Sequence, residues 1–138
     1  MGKPVAPTML GVSEYEHQKA LVALCRRLAP RYPALDNLFA VPNAAKRTRW
    51  EAATLLATGM VAGVPDLLLP WPQRDGEGHI IRCGLALELK ATGGTVSEHQ
   101  RVFGARLASA GWTFAICYGW EAGWQAISSY LEIPDLGV

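Results

Sequence analysis

Two short apolar runs frame everything this chain can fold into. Gly63-Val-Pro-Asp-Leu-Leu-Leu-Pro70 carries a carboxylate at its head, and Ile80 to Leu89 follows after a loop. Both have strand length, and Asp75-Gly-Glu-Gly78 between them is a turn signal. A hairpin centred near residues 76–77 sets Asp66 opposite residues 87–88, give or take a bulge near Pro70 and Pro72. Asp66 and Glu88, distant in sequence, then become neighbours.

The remaining segments supply helices and further strands. Ser13 is a good N-cap with Glu16 placed to complete a capping box, and Leu21, Leu24, Cys25 and Leu28 follow as one stripe. Extended backwards, the stripe reaches His17, Gln18 and Glu14, whereas Glu16 projects with Ala20, Ala23 and Arg27. Pro30 and Pro33 stop the helix. Leu38–Val41 predicts a short strand, and Ala44 to Thr58 a helix with Trp50, Ala53, Leu56 and Ala57 as its buried side. Ser97 caps a third helix carrying Val102, Phe103, Leu107 and Ala110. Trp112 to Tyr118 predicts a buried strand, and Trp120, Trp124, Ile127 and Leu131 mark a last amphipathic helix. The order α-β-α-β-β-α-β-α defines an α/β class, a mixed β-sheet flanked by helices. Residues 1–12 are expected to be a flexible N-terminal tail and 13–138 a single domain.

Composition narrows the function classes. Half of the 138 residues are hydrophobic and 18% are charged, which excludes a disordered chain. Cys25, Cys83 and Cys117 form no CxxC pair, so neither a disulfide framework nor a cysteine zinc site is expected. No apolar run approaches the roughly 18 residues of a membrane span, and Met1-Gly-Lys-Pro lacks the apolar stretch of a signal peptide. The expectation is a cytoplasmic protein with no membrane partner. Net charge is +1, but residues 1–50 hold eight Lys/Arg against three Asp/Glu, and residues 51–138 five against nine. A cationic edge beside a carboxylate cluster is one reading; chance asymmetry on a solvated surface is the other.

Strand period places Glu88 and Lys90 on one face and Leu85, Leu87 and Leu89 on the other. Alone, this Glu-x-Lys is no more than a strand emerging into water. Asp66 changes the reading, because a carboxylate at the start of a core strand needs a partner. An Asx-type turn or a salt bridge to Lys90 would serve. The hairpin register instead brings it to Glu88, and two adjacent carboxylates favour a hard cation such as Mg²⁺ or Mn²⁺. Such an ion stabilises charge on phosphate oxygens and activates water, with Lys90 beside it, a recipe for phosphodiester hydrolysis. Glu14 and Gln18 share a helix face that could point at the same place; for Glu14 the helix dipole is an equal explanation. Asn43, Lys46, Arg47 and Arg49 next to Trp50 suit phosphate contacts, or a solvated helix face. Gln100, three after Ser97, is explained by a capping box.

Taken in order, these residues resemble a known family. Ser13-Glu14-x-x-x-Gln18, Val41-Pro42-Asn43, Gly59-x-x-x-Gly63-Val64-Pro65-Asp66, Glu88-Leu89-Lys90 and Ser97-x-x-Gln100 resemble the virus-type replication-repair nuclease (VRR-NUC) family of the PD-(D/E)xK superfamily. The likeness is to its small stand-alone form common in phages and prophages, and covers roughly residues 13–131. The resemblance implies a restriction-endonuclease-like core and a Mg²⁺- or Mn²⁺-dependent DNA endonuclease. Asp66, Glu88 and the Leu89 carbonyl would be metal ligands, Lys90 the catalytic lysine, Glu14 rather than Glu16 the first-helix glutamate, and Gln100 the glutamine near the site. Similarity to Holliday-junction resolvases implies a homodimer acting on branched DNA. The alternatives are a flap- or end-directed or restriction-type nuclease, or a DNA-binding module that does not cut.

Overall fold

A computed structural model describes residues 11–42 and 48–134. Most of the expected N-terminal tail, and Asn43, Lys46 and Arg47, lie outside the described residues.

Helix α1 (Glu14–Leu28) begins where Ser13 accepts the Glu16 N–H at 3.1 Å. Only this half of the expected capping box forms. The α1 stripe is buried at His17, Leu21, Leu24 and Cys25. A short 3₁₀ turn (Pro33–Asn37) leads to β1 (Phe39–Ala40). Helix α2 covers Arg49–Ala57, later in its start than expected, because Thr48 and Glu51 close a full capping box there. Its expected buried side is not buried: Trp50 is 77% and Leu56 52% exposed, and Ala53 and Ala57 face solvent. Helical spacing defines a face, but among the described residues no neighbouring element buries this one.

The expected single hairpin is divided in two. β2 (Leu67–Leu69) pairs with β5 (Leu85–Lys90), while β3 (Gln73–Arg74) and β4 (Ile80–Arg82) make a separate ribbon around the turn. Pro70 and Pro72 interrupt one arm, since proline cannot donate to a ladder. On the other, Gly84 leaves the space that the Trp112 ring fills. The main sheet has the order β1-β2-β5-β6, antiparallel except for β5 with β6 (Thr113–Tyr118). Helix α3 (Glu98–Ser109) makes the crossover that a parallel pair requires.

Leu85, Leu87 and Leu89 join Leu21, Leu24, Trp124 and Ile127 in the core beneath α1 and α4 (Trp120–Leu131). Gly123 is where these layers meet: a Cβ there would sit 2.7 Å from Leu21 Cδ2 and 3.3 Å from Leu89 Cδ2. On the opposite face, Gly104 of α3 lies directly against the Phe114 ring. The sheet is thus mixed and flanked by helices on both faces, as expected. β6 departs from the expected buried strand, because it ends the sheet: Ile116 is 39% and Tyr118 50% exposed. Val102 on α3 is exposed as well. Among the described residues no helix is long and apolar enough to cross a membrane.

Candidate active site

The β2–β5 register pairs Leu67 with Leu87, so the next rung brings Asp66 to Glu88. The Asp66 Oδ2 accepts the Leu89 N–H at 2.8 Å, taking the place a strand carbonyl would occupy. Its own carbonyl accepts the Val41 N–H at 2.9 Å. The carboxylate is therefore fixed between β1 and β5, with Pro65 buried behind it. This excludes the Asx-turn and Lys90 salt-bridge alternatives: Asp66 bonds the neighbouring strand, and Lys90 pairs elsewhere.

Glu88 is 2% exposed. Its Oε2 accepts a hydrogen bond from Gln100 Nε2 at 2.9 Å, and its Oε1 is buried without a partner. Lys90 Nζ lies 4.0 Å from Glu88 Oε2 and 3.8 Å from Glu14 Oε1. Loss of water around Glu88 is the main influence on its acidity, followed by the like charge of Asp66; Lys90 opposes both. Together they push its pKa up to about 9. The structure thus brings Asp66, Glu88, Lys90, Glu14 and Gln100 to one place, with Glu14 as the first-helix glutamate that reaches Lys90.

Two contacts hold the walls of the site together. Gly63, at φ +85°, lies so close to α3 that a Cβ would collide with the His99 carbonyl and stand 2.8 Å from the Gln100 nitrogen. Ser97 and Gln100 form the expected capping box, Gln100 Oε1 accepting the Ser97 N–H at 2.9 Å. Gln100 therefore both caps its helix and reaches Glu88. A groove of about 330 Å³, lined by Val41, Leu56, Val64, Asp66 and Gln100, opens onto this corner.

Sequence spacing missed His17. It is 1% exposed, and its Nδ1 accepts the Trp120 N–H at 3.1 Å, capping α4. The next residue back, Gly119, donates its N–H to the Lys90 carbonyl at 3.0 Å. One imidazole thus ties the helix that bears Glu14 to the turn that anchors Lys90. The available signal was its position, one helical turn ahead of Leu21 on the buried stripe. Of the expected phosphate contacts, Arg49 is exposed at the start of α2; Gln18, on the helix face it shares with Glu14, is half-buried one helical turn from it.

Among the described residues no group of three or more His, Cys, Asp and Glu side chains is arranged to hold a metal. The donors at hand are two carboxylates and backbone. They nevertheless fit a hard divalent ion: both are oxygen donors, Asp66 and Glu88 are close enough to raise the Glu88 pKa, and one buried Glu88 oxygen accepts no hydrogen bond.

Fold and site together define a mixed α/β domain with an acidic corner at the end of its central strand. The chain matches the family model described as the VRR-NUC domain over residues 12–121, and it belongs to that family. Membership implies nuclease activity, with DNA as the class of substrate. A solved structure titled "VRR_NUC domain protein" is similar in fold, with a TM-score of 0.68 at 21% identity over 89% of this chain and 91% of that one. No curated protein matches the chain.

Proposed function

We propose that this protein is a divalent-metal-dependent DNA endonuclease of the PD-(D/E)xK type. The observation that carries the reading is the unpartnered Glu88 Oε1, buried against Asp66 beside the Lys90 ammonium. A buried carboxylate oxygen without a donor costs free energy unless a proton or a cation meets it.

Asp66, Glu88 and the Leu89 carbonyl would hold Mg²⁺ or Mn²⁺. The Leu89 N–H points to Asp66, and in an extended strand the carbonyl of the same residue points to the same side. When bound, the ion would stabilise charge on a phosphate oxygen and lower the pKa of a coordinated water. Gln100 orients the Glu88 carboxylate through its amide. Lys90 would orient the attacking water or offset negative charge building on the phosphate. Glu14, from α1, holds that ammonium in place. Asn43, Lys46, Arg47, Arg49 and Gln18 would contact the DNA backbone.

The finer reading is a homodimer selective for branched, junction-like DNA, supported by the family resemblance and by a chain that carries a single such site among the described residues. A panel of four-way junction, flap and linear duplex substrates, with and without Mg²⁺ and with native mass measured alongside, tests it. Metal-dependent cutting of the junction is expected, abolished in Asp66→Asn, Glu88→Gln and Lys90→Ala while binding persists. Cutting of flaps or linear duplex alone would give the alternative nuclease readings, and binding without cutting the non-cleaving module. Full activity of any of the three variants would remove that residue from the site.

A further inference from the structure

We propose that Tyr118 is a substrate-binding residue of this site, its hydroxyl donating a hydrogen bond to a phosphate oxygen of the strand being cut. The inference rests on the nuclease reading above and adds a residue to it.

Parallel pairing sets Glu88 beside Ile116 and Lys90 beside Tyr118. Residues in register across a sheet share a face, and neighbouring strands lie about 4.8 Å apart. Tyr118 is therefore the cross-strand neighbour of Lys90 on the face that bears Glu88. Lys90 and Glu88 are buried, whereas Tyr118 is 50% exposed. Strand β6 ends the four-stranded sheet, so among the described residues no further strand of this sheet stands beyond it. A DNA strand reaching the carboxylates can pass over this edge. The Tyr118 hydroxyl has no hydrogen-bond partner among the described residues and is available to one.

The chemistry of the surroundings favours a neutral donor here. Glu14, Asp66 and Glu88 crowd the corner with carboxylates, and Lys90 is already shared between Glu14 and Glu88. A second cation beside them would be drawn into the same ion pairs. A phenol is a donor at neutral pH without competing for those carboxylates as a charge, and its ring offers an apolar face to a sugar. Tyrosine hydroxyls belong to the groups that contact DNA phosphates.

The test compares wild type with Tyr118→Phe in steady-state cleavage of a junction substrate with Mg²⁺, and in binding of the same DNA with the metal chelated. The removed hydrogen bond to a charged oxygen is expected to raise KM and weaken binding by about tenfold, with kcat within about twofold. Replacing one phosphate next to the cut with a neutral methylphosphonate is expected to weaken wild-type binding while leaving the variant's binding nearly unchanged. Equal KM and equal binding for the two proteins would overturn the proposal, as would a fall in kcat with KM intact. A wild type that cuts no substrate defeats the nuclease reading, and the chelated binding comparison still decides the role of Tyr118.

Discussion

Gln100 spends both ends of its amide on different tasks: Oε1 accepts the Ser97 N–H at 2.9 Å, and Nε2 donates to Glu88 Oε2 at 2.9 Å. The cap and the site contact are made by one side chain, and two substitutions separate them. Gln100→Ala removes both, and is expected to cost about 1–2 kcal/mol of stability and to slow cleavage about tenfold. Gln100→Glu retains an acceptor for Ser97 but sets a carboxylate against Glu88. It should melt close to wild type and cleave poorly. Denaturation curves and single-turnover rates check both, and normal cleavage by Gln100→Glu would show that the Glu88 contact is idle.

Burial and the neighbouring Asp66 hold the Glu88 proton up to about pH 9, whereas the unfolded chain releases it near the ordinary glutamate value of 4.5. Between these values the folded state binds more protons than the unfolded state. Stability of the metal-free protein is therefore fully present below the window and falls as pH rises through it. Glu88→Gln, neutral throughout, is expected to flatten that decline. Urea unfolding with the metal chelated, from about pH 5 to pH 9, measures the slope. An identical slope in the variant would refute the assignment.

Gly63 has a positive φ and no room for a Cβ against the first turn of α3. Gly63→Ala forces the loop bearing Asp66 away from the helix bearing Gln100. A loss of about 2–4 kcal/mol is expected from the strained backbone and the clash. Cleavage should fall further than the folded fraction does, because the two walls of the site no longer meet. Activity normalised to folded protein is the deciding measurement, and an unchanged value would count against this coupling.

Lys46, Arg47 and Arg49 precede and open α2, and they carry the expected phosphate contacts. Replacing all three with alanine is expected to weaken DNA binding and to flatten its salt dependence by about 0.9 in log–log slope per lost contact. Fluorescence anisotropy across a salt series reads this directly. A slope equal to wild type would mean that none of the three touches phosphate.

The central pairing was legible from sequence because it rests on local rules. Turn residues and strand period set the register, and a one-residue slip would have moved every leucine of β5 off the core. The Ser97 and Ser13 caps and the α1 stripe follow from helical spacing in the same way. Periodicity failed at α2 and at β6. It identifies a potentially buried face, but not whether another element arrives to cover it.

By itself, the sequence determined the order of elements, the apolar faces and the alignment of Asp66 with Glu88, since each depends on a few adjacent residues. Only the tertiary structure decided that Gln100 reaches Glu88, that His17 ties α1 to the turn behind Lys90, and that Tyr118 shares the face of Lys90 at an open edge. Those contacts join residues from separate helices and strands. Their distances are set by how the layers pack around Leu21, Leu89 and Gly123, and no spacing along the chain encodes them.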